Sequence, residues 1–519
     1  MKPKLIKKGC RFAVIKMDDG GHYNTKKEYE ISIRETKVVS EPRRFKTNKS
    51  IVPIFTLKPG TDYTVYIEEH ELSFRTDKEF VTLCVRDFGA KGNGVQDDTV
   101  YIQAAIMACP PKSRVLIPPG DYLVTNLFLM SNVKIEILKG ARLIMNTERY
   151  AHAVLPGIIE SYDGLSEYNL GTWEGNPLSK FASCINALNV SNVEIYGEGE
   201  IFGNASDENW WHDAKVKRGA WRPRLFFTNA SSDISVIGLT FKNSPSWNIH
   251  PYFSKNLEFI ALNIINPADS PNTDGIDVEC CKNVHIIGVH FDVGDDCIAL
   301  KSCKIYMAEK YKRTCENIYI ANCLMESGHG ALTVGSEMAG GVKGVIVSHC
   351  FFLNTDRGLR VKTRRGRGRL SILDDITFSC ITMDNVQTPF AVNSFYFCDP
   401  DGKSDYVQNT EPLPIDHRTP QIKTLVIEDV VCENAHIAAA YFTGLPERKI
   451  EQIIMRNVRI KFADDAKTGE AEMRCNIPPM SKHGIYACNV NRLLLENVVI
   501  ENHEGDDLVV ENVNEVERG

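Results

Sequence analysis

Short runs of alternating β-branched residues, each opened by a polar pair, recur along most of the chain. Ser131-Asn132-Val133-Lys134-Ile135 and Ser191-Asn192-Val193-Glu194-Ile195 set the pattern. It returns at Asp233–Val236, Lys255–Phe259, Lys282–Ile286, Glu316–Ile320, Gly344–Val347, Asp375–Phe378, Leu425–Ile427, Ile453–Met455 and Leu493–Leu495. Period-two alternation predicts strands, and the leading Asn or Asp suits a tight turn. The usual step of about 23–34 residues is that of one solenoid coil, whereas sandwich strands come roughly every 8–12 residues. The pattern therefore predicts an all-β chain whose main body, residues 81–519, is a parallel β-helix.

Residues 1–80 read as a separate small module. Leu57-Lys58-Pro59-Gly60-Thr61-Asp62-Tyr63-Thr64-Val65 resembles the tyrosine corner of immunoglobulin-like and fibronectin type III sandwiches, in which a Tyr hydroxyl ties a strand start to the preceding loop. The boundary follows at the glycine-rich turn Asp87–Gly94. Asp97-Asp98-Thr99 then offers a helix N-cap, an apolar-periodic run spans Val100–Met107, and Pro110-Pro111 stops it. That helix is expected to cover the open end of the first coil.

In a β-helix, residues one coil apart lie side by side, about 4.8 Å from each other. Asp295 and Asp296 follow Asp274 by 21 and 22 residues, so all three are expected on one wall. Like charges gathered without a fixed cation cost stability, and such clusters are usually catalytic. Gly328-His329-Gly330 follows 34 residues after Asp295, and Arg360-Val361-Lys362 comes 31 residues after His329. Arg360 and Lys362, at i and i+2 on a strand, present two cations on one face.

Composition narrows the function classes. The chain has 519 residues, 43% hydrophobic content and ample material for a core. No apolar run approaches the ~18 residues of a membrane span, and a net charge of −7 argues against a nucleic-acid partner. No secretory signal is visible after Met1–Lys8, so a cytoplasmic location is expected, or a secreted or periplasmic one if a leader has been removed. The sixteen cysteines lack zinc-type spacing and read as buried reduced thiols. No metal or cofactor is expected.

Asn272-Thr273-Asp274, Gly294-Asp295-Asp296, Gly328-His329-Gly330 and Arg360-x-Lys362, in this order, resemble glycoside hydrolase family 28, the polygalacturonases. The similarity runs from about Asp87 to beyond Tyr396. The pattern is complete here, whereas the related rhamnogalacturonan hydrolases depart from it. Gly335–Val342 and the fibronectin-like module are similar to bacterial exo-acting members. The resemblance implies a right-handed helix, hydrolysis of α-1,4 bonds between galacturonic acids, and inversion at the anomeric carbon.

It also implies roles. Asp295 would be the general acid, Asp274 and Asp296 would position and deprotonate a water, and His329 would tune the acid. Asn272, Arg360, Lys362 and Tyr396 would bind a substrate with a carboxylate on every sugar. An inverting pair is expected about 6.5–9.5 Å apart. The basic run Arg364–Arg369 is expected to line the cleft or to be a solvated loop. The aromatic and basic insertion from Trp210-Trp211-His212 to Trp221-Arg222-Pro223-Arg224 is expected to wall one end and favour cleavage from the chain terminus. Alternatives are an endo-acting enzyme, a calcium-dependent pectate lyase and a non-catalytic carbohydrate-binding β-helix. The partner expected is galacturonan, as oligosaccharide or polysaccharide, with the oligomeric state open.

Overall fold

The computed structural model describes residues 2–36 and 41–519; positions 1 and 37–40 of the expected module fall outside them. The eleven recurring segments form one parallel ladder. Ile135 pairs with Ile195, then in turn Val236, Phe259, Ile286, Ile320, Val347, Phe378, Ile427, Met455 and Leu495. Every one of these side chains is buried. Register is fixed because a one-residue slip would turn this whole row to solvent. A coil contributes three strands, as in Ile276–Glu279, Lys282–Ile287 and His290–Asp292. The first of these belongs to a twelve-stranded parallel sheet, called here the floor sheet, and the other two to a 24-stranded sheet. One core runs through the coils from Val85 to Leu495. The chain is a parallel β-helix.

The polar residue that opens each segment makes the bend between strands. Asn132, Asn192, Asn256, Asn283 and Asn317 all have φ between 56° and 64°, a left-handed conformation that Asn tolerates better than other side chains. Their amides stack from coil to coil, Asn283 donating to Asn256 at 2.9 Å and Asn317 to Asn283 at 3.1 Å. Gly344 occupies the equivalent place one coil later, with φ 65°.

The expected helix spans Thr99–Ala108 and buries Ile102, Ala105 and Ile106 in the end of the core. Its capping differs from expectation. Asp98 is fully buried and its carboxylate accepts the N–H groups of Lys91 and Gly92, both at 2.8 Å. A buried carboxylate needs donors, and the glycine-rich turn supplies them. Asp97 instead accepts the Thr99 N–H at 2.9 Å.

The N-terminal part forms two antiparallel sheets of three and four strands around its own small core. The Tyr63 hydroxyl accepts the Lys58 N–H at 2.8 Å, the bond a tyrosine corner requires. Phe12 and Phe55 pack on Tyr196, Ile237 and Ile260 of the β-helix. Further along, Asn322 donates to the His22 carbonyl at 2.7 Å. The module thus lies lengthwise on the outer side of the coils.

Candidate active site

On the floor sheet, alternate residues point inward and outward. Ile276 and Val278 enter the core, while Asp277 and Glu279 face the other way. Asn272 and Asp274 lie in the turn before Ile276–Glu279, Asp295 and Asp296 before Ile298–Lys301, and His329 before Leu332–Gly335; Arg360 and Lys362 are on Arg357–Lys362. Backbone bonds lock these turns together: Gly275 donates to the Asp296 carbonyl, and His329 to that of Asp295, both at 3.0 Å. Gly275 is required by close approach, since a Cβ there would lie 2.4 Å from the Cys297 carbonyl oxygen.

The three aspartates converge, each offering an oxygen within 4.8 Å of the others. Lys362 Nζ donates to Asp296 Oδ2 at 2.8 Å, and Arg360 Nη1 lies 3.6 Å from Asp296 Oδ1. Arg360 is itself held by Glu472 at 3.2 Å. His329 Nδ1 lies 3.3 Å from Asp295 Oδ1, which also accepts the Asp296 N–H at 3.0 Å. Asn272 Oδ1 accepts a bond from Arg222 at 2.6 Å. Tyr396 lines the same cavity, with Lys362 Nζ 5.5 Å from its ring centre. The structure therefore brings together all eight residues singled out from the sequence. The carboxylate oxygens approach more closely than the generic inverting separation led us to expect, because adjacent coils stack at strand spacing.

The shared charge is distributed unevenly. Burial and the neighbouring Asp277 and Asp295 push Asp274 well above the ordinary carboxylate range. Burial would also raise Asp296, but Lys362 and Arg360 outweigh it and hold this group well below that range. The hydrogen bond to Asp295 raises His329. Burial thus favours the neutral form of Asp274, and the two cations favour the ionised form of Asp296. Geometry alone would let the three carboxylates hold a cation, yet the donor set fits calcium poorly. One member favours its neutral form, and both oxygens of another face side-chain cations, whereas calcium takes 6–8 oxygen ligands.

The model for "Glycosyl hydrolases family 28" matches residues 132–483. The chain belongs to this family. A second model, "Rhamnogalacturonase A/epimerase, pectate lyase-like", matches residues 83–158. Among curated relatives, a "Probable polygalacturonase" of Vitis vinifera is 29% identical over 391 residues, covering 73% of this chain and 74% of that protein. An "Exo-poly-alpha-D-galacturonosidase" of Dickeya chrysanthemi is 24% identical over 457 residues, covering 78% and 73%. The solved family 28 exopolygalacturonase of Yersinia enterocolitica superposes with a TM-score of 0.74 at 18% identity, covering 99% of this chain and 98% of that one. As a family 28 member, the chain is a hydrolase of glycosidic bonds.

In this family 28 enzyme the cavity over the aspartates encloses about 600 Å³. Toward the earlier coils it is bounded by two insertions. One supplies Trp173, Glu174 and Asn176; the other supplies Ala214, Lys215 and Trp221. Trp173 and Trp221 stack at 4.7 Å, which joins the insertions into one wall. The expected wall from residues 210–224 is thus only partly made as foreseen. Trp210 is buried against Phe181 and His152, and Arg222 and Arg224 are buried behind the tryptophans.

In the basic run only Arg369 is exposed, as a solvated loop would have it; the other three arginines differ from both readings. Arg364, Arg365 and Arg367 are buried and consumed internally, pairing with Asp399, Asp401 and Glu447. They scaffold the loop that carries Tyr396 instead of lining the cleft, because their acidic partners arrive from later loops. Sequence reasoning also passed over Asp277, Lys301 and Glu337. Lys301 Nζ lies 3.3 Å from Asp277 and 3.2 Å from Glu337. Burial opposes that ammonium, but the surrounding carboxylates raise it well above the usual lysine range. Burial pushes Asp277 up to about 7 against the pull of Lys301. Strand alternation from Asp277 and Ala299 was the signal that could have found the first two.

Proposed function

We propose that the protein hydrolyses the α-1,4 bonds of galacturonan from a chain end, with inversion, releasing galacturonic acid. The observation that carries this reading is the pairing of a three-carboxylate cluster with Arg360 and Lys362 in a cavity walled on one side. The cations suit a substrate bearing a carboxylate on each sugar, and the stacked tryptophans bound the cavity on the side of the earlier coils, as attack at a chain end requires. The Dickeya relative is named as an exo-acting enzyme and a Pectobacterium relative as an endo-acting one, so the mode rests on the wall.

Asp295, the least buried of the three, donates to the leaving oxygen a proton that it takes up from the neighbouring His329 imidazolium. Asp296 accepts the proton of the attacking water, and Asp274 holds that water through its own carboxyl group. Water rather than carboxylate attacks because both Asp296 oxygens face cations and Asp274 keeps its proton. His329, whose Nδ1 lies 3.3 Å from Asp295, restores the proton of the acid between turnovers. The reading includes a cytoplasmic enzyme acting on short imported oligosaccharides; ten of the sixteen cysteines are buried, as reduced thiols packed in a core would be.

The test is a time course on polygalacturonate sorted by product size, with the first-formed anomer read by NMR. Monomer from the outset, formed as the inverted anomer and unaffected by chelator, is expected. A ladder of intermediate oligomers would refute chain-end attack, and an unsaturated sugar end lost on chelation would identify a lyase. Asp295→Asn is expected to lower kcat at least about a hundredfold, the usual scale of general acid catalysis.

A further inference from the structure

A second cavity, of about 340 Å³, opens over the same floor sheet toward the later coils. It is lined by Tyr441, Arg474, Met480, His483 and Tyr486, among others. Tyr441 and Tyr486 are stacked at 4.9 Å with their planes 24° apart. They belong to the outward row that includes Arg360, by the pairings Arg360 to Ala391, Ala391 to Tyr441 and Tyr441 to Tyr486. At one strand spacing per step, Tyr441 lies about 10 Å along the sheet from Arg360. The two cavities are neighbours: Met473 borders the first and Arg474 the second. The Arg474 guanidinium packs 4.1 Å from the Phe395 ring, and among the described residues no carboxylate pairs with it.

We propose that this second cavity binds the departing arm of an acidic oligosaccharide while its terminal sugar occupies the walled cavity. The inference rests on the reading of galacturonan cleaved at a chain end. The wall of Trp173 and Trp221 closes the side of the earlier coils, so the remainder of the chain must leave across Arg360 and Lys362 toward Tyr441. An aromatic face accepts the apolar C–H face of a sugar ring. An arginine packed against a neighbouring ring, with no carboxylate partner among the described residues, is prepared to meet a carboxylate. Neutral glycans would use the tyrosines and leave Arg474 idle, so the pair selects a uronic acid chain. The Tyr486 hydroxyl donates to Glu511 at 2.9 Å, which fixes the ring plane.

The experiment compares kcat/KM on the galacturonic acid dimer with kcat/KM on long oligomers, for the full-length protein. Tyr486→Ala and Arg474→Gln are each expected to lower the long-to-short ratio by about tenfold through KM, the scale of one lost stacking or charge-assisted contact. Tyr486→Phe should keep the ratio, and Arg474→Lys should restore part of it. Equal losses on dimer and long oligomer, or an unchanged ratio in both variants, would overturn the inference while leaving the proposed function intact. A wild-type protein that makes intermediate oligomers from the outset would overturn both.

Discussion

Lys362 and Arg360 divide three similar carboxylates into different chemical states. Their charges hold Asp296 well below the ordinary carboxylate range, while burial raises Asp274 and the neighbouring Asp295 raises His329. The sign for activity follows. On the proposed roles, the base Asp296 is lost only when pH falls through its depressed value, and the protons favoured on Asp274 and His329 are lost as pH rises through their elevated values. Rate–pH profiles should therefore show an acid limb below the ordinary carboxylate range and a decline on the alkaline side. Lys362→Met removes the nearer cation, so the acid limb should move up by about one pH unit or more. A limb that stays in place would show that Asp296 is not the base. Seven of the site residues were legible because they stand in short motifs at coil spacing, whereas Tyr396 came from the family resemblance alone. Glu472 was not, since it reaches Arg360 from 112 residues away and its own neighbourhood has no pattern.

At the scale of elements, the bends matter as much as the strands. Asn283 combines a left-handed backbone with side-chain bonds to Asn256 and Asn317. Asn283→Ala should cost about 1–2 kcal/mol from backbone strain, with a further part from the lost amide bonds. Asn283→Gly should recover most of the strain. Midpoints of urea unfolding measure both, and equal losses in the two variants would argue against the strain account. Strand positions could be read from the sequence because a coil's alternation is local. The fate of Arg364, Arg365 and Arg367 could not, because their partners Asp399, Asp401 and Glu447 lie 32–82 residues further on. Likewise Asp98 looked like a helix cap until the turn before it turned out to hold two N–H groups in need of an acceptor.

Across the whole molecule, the N-terminal sheets and the β-helix have separate cores joined by a third cluster of Phe12, Phe55, Tyr196, Ile237 and Ile260. Phe12 is fully buried there. Phe12→Asp would place an unpaired carboxylate in that joint and should cost several kcal/mol, roughly 3–5, without entering either main core. Calorimetry should then resolve two transitions where the parent protein shows one. A single, lowered transition would mean the module cannot stand alone.

The groups that converge on the cavity are drawn from successive rungs, Asp274 from one, the aspartate pair from the next, His329 from a third and the two cations from a fourth. Gain or loss of a rung between them would displace one set by a full strand spacing and abolish the constellation. The loops that leave each rung are under no such constraint. In descent from a common ancestor, new preferences for chain length and decoration should therefore accumulate as loop insertions, while the number of rungs between Asp274 and Lys362 stays frozen.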